Sequence, residues 1–115
     1  MIRRASDRVA VTNSNMRGGE GAVDVTPFFT ADEMTANARL CATLTLPPGA
    51  SIGMHQHLKE DEVYIVTRGS GILDDGETES RVSAGDAVLT GNGESHAIRN
   101  DGDEPLEIIA VIMCY

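Results

Sequence analysis

From residue 39 onward the chain alternates with a period of two. Leu40, Ala42, Leu44 and Leu46 fall on one side, and Cys41, Thr43 and Thr45 on the other. Successive side chains of a strand point to opposite faces, so this run reads as a half-buried strand with its aliphatic face inward. The pattern recurs. Asp61 to Arg68 places Glu62, Tyr64 and Val66 on one face and Val63 and Ile65 on the other, while Leu106 to Tyr115 is apolar on both. Ile52 to His57, Thr78 to Val82, Ala87 to Thr90 and His96 to Arg99 are shorter runs of the same kind. Turn residues separate them: Pro47-Pro48-Gly49, the hairpin signal Asp74-Asp75-Gly76-Glu77, Ala84-Gly85-Asp86, Gly91-Asn92-Gly93, and a polar turn from Asn100 to Pro105. Gly69 and Gly71 read as bends. Thr30 and Glu33 stand at capping-box spacing, but no apolar helical period follows, so they predict a single helical turn. About eight to ten short strands without a sustained helix predict an all-β sandwich or barrel.

The first 38 residues carry less pattern. Arg8 to Thr12 reads as a short first strand, Asn13 to Gly21 as a loop or extended arm, and Val23 to Phe29 as a strand that Pro27 places at an edge. At 115 residues the chain is expected to form one domain, with residues 1–38 as N-terminal strands and arm and residues 39–115 as the core barrel. A formal net charge of −9 argues against a nucleic-acid partner, which would need a basic face. No run approaches the roughly 20 apolar residues of a bilayer span, and no apolar stretch of leader length follows the basic start. The expected placement is cytoplasmic. Cys41 and Cys114 are isolated in apolar runs, where small buried thiols are expected rather than a disulfide framework.

The chemistry concentrates in two glycine-punctuated stretches, Gly49 to Gly69 and Gly85 to Asn100, which together hold all three histidines. His55 and His57, two apart on a strand, can share one target, and Glu62 could reach it from a neighbouring strand. His96 lies in the second stretch. Three imidazoles and a carboxylate form a borderline donor set that suits manganese, iron, cobalt, nickel, copper or zinc better than calcium or magnesium. Four protein ligands on an ion that prefers six leave two positions open. Glu60 and Asp61 read as a solvated loop face more readily than as an acid or base. Tyr64 shares the face of Glu62 and either lines the pocket or packs in the core. Tyr64 and Glu60 are therefore the candidates for proton transfer, with no catalytic residue established. Arg39, Arg68 and Arg99 are expected at the surface. The two stretches look like related halves, which suits a jelly roll built from two Greek keys.

In full, the first stretch runs Gly49, five residues, His55, one, His57, four, Glu62, six, Gly69, and the second presents Gly85, Gly93, His96 and Asn100. These resemble the two conserved motifs of the cupin superfamily. The second departs from the family pattern at Gly91, where cupins have a proline that stiffens the turn. The resemblance implies a small single-domain cupin, a double-stranded β-helix or jelly-roll barrel. It also implies one divalent transition metal (Mn, Fe, Co, Ni, Cu or Zn) held by His55, His57, Glu62 and His96. The function it suggests is a metal-dependent enzyme acting on a small oxygenated or carboxylate substrate, of the oxalate-decarboxylase or dioxygenase type. A non-catalytic metal-containing cup that binds a small ligand or serves as a scaffold is the alternative. A sugar isomerase or epimerase is the weaker third, since one fold hosts many chemistries. The surplus apolar face of the last strand must be covered, either by the N-terminal strands or by a second copy. The resemblance favours a homodimer.

Overall fold

The alternation that opens at residue 39 becomes a strand near the middle of the larger of two sheets. The computed structural model describes residues 1–115. Its ten strands are β1 (Val11–Ser14), β2 (Ala22–Pro27), β3 (Ala38–Leu46), β4 (Ser51–Gln56), β5 (Glu60–Arg68), β6 (Ser70–Asp74), β7 (Glu79–Ser83), β8 (Ala87–Gly91), β9 (Ser95–Arg99) and β10 (Leu106–Cys114). All helical structure is confined to three short 3-10 turns. The six-stranded sheet runs β1-β2-β3-β10-β5-β8 and the four-stranded sheet β4-β9-β6-β7. Neighbouring strands pair antiparallel throughout. The result is the expected all-β jelly-roll barrel.

The inward faces are those the alternation marks. Ala42, Leu44 and Leu46 of β3, Tyr64 and Val66 of β5, and Leu106, Ile108 and Ala110 of β10 are buried. They meet Ile52 of β4, Val82 of β7 and Ile98 of β9 across the interior. Each large aliphatic side chain so buried contributes about 1.5–3 kcal/mol relative to exposure. Asn100, the last residue of the second motif, is buried for a structural reason. Its amide donates to Leu46 O at 2.9 Å and Glu104 O at 2.8 Å, and its backbone pairs with Gly49 and Ala50. It ties the two motifs together at the end of the barrel.

Several local expectations shift. The first strand starts three residues later than expected, and Asn13 and Ser14 belong to it rather than to a loop. Phe28 and Phe29 lie beyond the end of β2. Each instead carries a guanidinium on its ring, Arg8 over Phe28 at 3.7 Å and Arg3 over Phe29 at 5.8 Å. Gly71 is not a bend but an interior residue of β6, a strand the sequence reading passed over. A Cβ there would press on Arg99 O and the Leu106 side chain, so close approach of neighbouring chain explains the glycine. Cys41 and Cys114 are free thiols and only half-buried, Cys41 because it sits on the outward side of β3 and Cys114 because it lies at the end of β10, on the inward-facing side but beyond the buried core. The capping box at Thr30 forms as expected, the Thr30 N–H donating to Glu33 Oε1 at 2.8 Å over a one-turn 3-10 helix.

Candidate metal centre

His55 lies on β4 and is paired directly with His96 of β9. His57 follows the end of β4, yet its backbone stays in register: its N–H donates to Glu94 O and its carbonyl accepts from Gly93 N, each at 2.9 Å. The three histidines therefore hang from one sheet. Glu62 does not come from a strand beside them, as the sequence suggested. It lies on β5 of the other sheet and points across the interior. His57, Glu62 and His96 are buried, with relative exposures of 1%, 3% and 1%, while His55 is half-buried.

The donor atoms converge. His57 Nε2 lies 3.0 Å from His96 Nε2, which lies 3.2 Å from His55 Nε2. Glu62 Oε1 is 3.1 Å from His57 Nε2 and 3.0 Å from His96 Nε2. The opposite ring nitrogens decide what kind of atoms these are. His55 Nδ1 faces Gly53 O at 2.7 Å, an acceptor, so Nδ1 carries the hydrogen and Nε2 a lone pair. His57 Nδ1–H likewise donates to Glu60 Oε2 at 2.8 Å. His96 Nδ1 meets the Thr90 hydroxyl at 2.9 Å, which suits the same arrangement. Lone pairs thus face a carboxylate oxygen. Glu62 Oε1, fully buried, has no hydrogen-bond donor at all.

Such a cluster is repulsive unless something positive joins it, and its dimensions suit a cation. An ion about 2.1 Å from each donor sets neighbours about 3.0 Å apart at right angles and about 3.4 Å apart at the tetrahedral angle. The separations of 3.0–3.2 Å resemble the right-angled arrangement more closely. His55, His57, Glu62 and His96 form a group that could hold a metal ion, and a nitrogen-rich set with one carboxylate fits a transition metal.

Around this centre the remaining candidates take definite places. Tyr64 is buried and stacks on His96, ring centroids 4.9 Å apart and planes 19° apart. Burial first, and then the Glu62 charge, push its phenol well above the ordinary value. Glu60 opens β5 instead of sitting on a solvated loop. Lys59, with a left-handed φ of 56°, turns the chain so that the Glu60 carboxylate folds back on His57. Arg39 clamps the same carboxylate at 2.8 and 3.1 Å, and that hydrogen bonding is the main reason its acidity is strengthened. Arg68 faces Glu107 at 3.7 Å and Arg99 pairs with Glu79. All three arginines singled out in the sequence are thus engaged with carboxylates. Thr90 and the Gly53 carbonyl were missed. A buried threonine on an otherwise aliphatic strand, six residues before a motif histidine, was the available signal.

The departure at Gly91 also has a cause. A Cβ at this position would run into the Asp61 carboxylate, so the space is already filled from β5. The turn before His96 is stiffened by side chains instead. Asn92 N–H donates to Tyr115 Oη at 3.2 Å, Tyr115 Oη–H donates to Asp61 Oδ1 at 3.1 Å, and Gln56 donates to Gly93 O at 2.9 Å. A groove of about 460 Å³, bordered by Leu73, Glu94 and Ser95, reaches the centre's surroundings at Thr90.

Known proteins resemble this chain to different degrees. Residues 42–112 match the family model described as Cupin domain. An oxalate-binding protein of Thermotoga maritima is 41% identical over 113 residues, covering 98% of this chain and 93% of the relative. A crystal structure from the same species, described as a predicted oxalate decarboxylase, superposes with a TM-score of 0.95 at 40% identity, with both chains fully covered. A sugar phosphate isomerase of Silicibacter pomeroyi shares only the fold, with a TM-score of 0.68 at 22% identity over 81% of this chain and 60% of its own.

Proposed function

The chain belongs to the cupin family, and we propose that it is a small metal-binding cupin whose ligand is a short dicarboxylate of the oxalate class. The observation that carries this reading is the meeting of three imidazole lone pairs with the donorless Glu62 Oε1 at one buried point. In it, His55, His57, Glu62 and His96 hold one divalent transition metal, which supplies charge for chelated carboxylate oxygens. The chain does the rest. Gly53, Glu60 and Thr90 hold the rings with Nε2 inward, Tyr64 and the aliphatic core keep the inner side dry, and half-buried His55 marks the side open to solvent. The likeness to an oxalate-binding protein over nearly the whole chain supports the ligand class. Calorimetric titration of oxalate into metal-loaded protein tests it: saturable binding that vanishes in Glu62→Ala is expected, and no binding by loaded protein overturns it.

Turnover is the second reading, favoured by the likeness to the predicted oxalate decarboxylase. Oxalate dianion plus one proton yields formate and carbon dioxide, so decarboxylation needs a proton source. The two candidates are poorly placed for it. Tyr64 holds its proton more tightly than an ordinary phenol, and Glu60 is occupied by His57 and Arg39. Binding without turnover is therefore the reading we prefer. Formate released in proportion to metal-loaded protein, and lost in Glu62→Ala, would replace it with the enzymatic one.

A homodimer is also proposed. Leu89, Val63, Val111 and Cys41 are aligned across β8, β5, β10 and β3 on the outward side of the large sheet. Leu89 is 67% exposed, and beside the row Ile65 and Met113 are 40% and 41% exposed. β1 and β2 do not cover this face; they extend the sheet beyond β3. Light scattering should return twice the chain mass of 12.2 kDa, and a monomer at micromolar concentration would remove the proposal.

A further inference from the structure

The three imidazoles of the site are not held alike. His55 leans on a neutral backbone carbonyl, and His96 on a hydroxyl that can donate as well as accept. His57 alone is backed by a carboxylate, and that carboxylate is itself held from behind. Arg39 Nη2 donates to Glu60 Oε2 at 2.8 Å and Arg39 Nε to Oε1 at 3.1 Å, the two-pronged geometry that fixes a carboxylate plane. Glu60 Oε2 is thus shared between the guanidinium and the His57 ring.

The framework beneath this chain of contacts is rigid. Arg39 stands near the start of β3 and Glu60 opens β5, where it is paired with Cys114 of β10, the strand between them. The Glu60 side chain is 15% exposed and the His57 side chain 1%, so the carboxylate closes the outer side of the ring. Neither group has slack to drift.

Resting on the metal reading above, we infer that Glu60, clamped by Arg39, is the positioning residue that fixes the tautomer and donor strength of His57 and makes it the anchor of the site. A carboxylate can only accept, so it selects the Nδ1–H tautomer, whereas a free imidazole in water favours the Nε2–H form that cannot ligate through Nε2. Negative charge on the far side of the ring also makes Nε2 a stronger donor. Glu60 does this through His57 and is not placed as an acid or base.

Two readouts test it. In metal-free, nitrogen-15-labelled protein, imidazole proton–nitrogen correlations should show His57 as Nδ1–H in the wild type and a shift toward Nε2–H in Glu60→Ala. In zinc titrations against a chromophoric chelator, Glu60→Ala should weaken binding by about 10–100-fold. Glu60→Gln, whose amide oxygen can still accept from Nδ1–H, should keep the tautomer and lose a smaller part of the affinity. If wild-type His57 is already the Nε2–H tautomer, the inference fails. It fails equally if Glu60→Ala keeps both the wild-type tautomer and zinc affinity within twofold. A wild type that binds no zinc would instead sink the metal reading, and the tautomer measurement would still decide what Glu60 does.

Discussion

The turn after His57 and the turn before His96 look like repeats in sequence, yet they immobilise their histidines by different means. Each contains a non-glycine residue in the left-handed region, Lys59 at φ 56° and Asn92 at φ 55°. In the first, the strained residue serves the ring directly by returning Glu60 to His57. In the second, the ring is steadied by Thr90 of β8, and the turn itself is held by remote side chains, Tyr115 and Asp61 through Asn92 and Gln56 through Gly93. One half uses a local hydrogen bond to a carboxylate; the other uses a clamp assembled from three distant parts of the chain. Similar spacing thus specifies where a ligand goes and leaves open what supports it.

Removing a ligand should erase the difference between the halves. His57→Ala, His96→Ala and Glu62→Ala should each weaken zinc binding by more than the roughly 100-fold upper range of supporting-residue losses. Elemental analysis and titration read this, with circular dichroism checking that the barrel persists. Gly91→Ala acts on the second half alone. The added methyl must displace the Asp61 carboxylate and so the Tyr115 bond. We expect a loss of about 1–2 kcal/mol, seen as a fall in Tm of about 4–8 °C. An unchanged Tm would mean that the clamp is not under tension.

Acid should discriminate the halves next. Burial, opposed by the Gly53 carbonyl, lowers the His55 pKa from 6.5. Below that value the unfolded chain binds a proton that the folded chain resists, so metal-free protein loses stability as pH falls through 6.5. Glu60 contributes in a lower window, because its folded pKa lies below 4.5. Its contribution is present above that value and is lost as pH falls through the folded pKa. Denaturant midpoints of wild type and Glu60→Gln should therefore diverge above pH 4.5 and converge in stronger acid. Parallel curves would deny Glu60 its role in the first half. The smallest effect should come from Tyr115→Phe, which removes two exposed hydrogen bonds, one from Asn92 and one to Asp61, each at the low end of about 0.5–1.5 kcal/mol. Faster amide exchange at Asn92, with no change at His57, is the expected signature.

Period-two alternation made β3 and β5 legible because their two faces meet different surroundings, aliphatic core on one side and the outside of the sheet on the other, whereas β10, apolar on both faces, was legible as a long apolar run after a polar turn. The four residues of the candidate metal group were legible because two histidines two apart share a face of a strand and the remaining spacing resembles the cupin motifs. β6 was not, since its glycine is demanded by neighbouring chain that sequence order does not place nearby. The sheet that presents Glu62 was also hidden: hydrophobic period reports a face, but says nothing of which strand it will oppose. Glu60 was misread for a related reason. A carboxylate in a charged turn looks solvated until its arginine arrives from residue 39, twenty-one positions away.

The crossing of Glu62 from one sheet to histidines on the other has a mechanical consequence. The gap between the sheets acts as the jaw of a caliper, with its opening set by aliphatic residues such as Ile52, Tyr64 and Ile108 that never touch an ion. Substitutions that swell or shrink this filling would change the size of ion that the jaws grip without altering any ligand. Metal preference in this chain would then be tuned by core volume as much as by ligand chemistry.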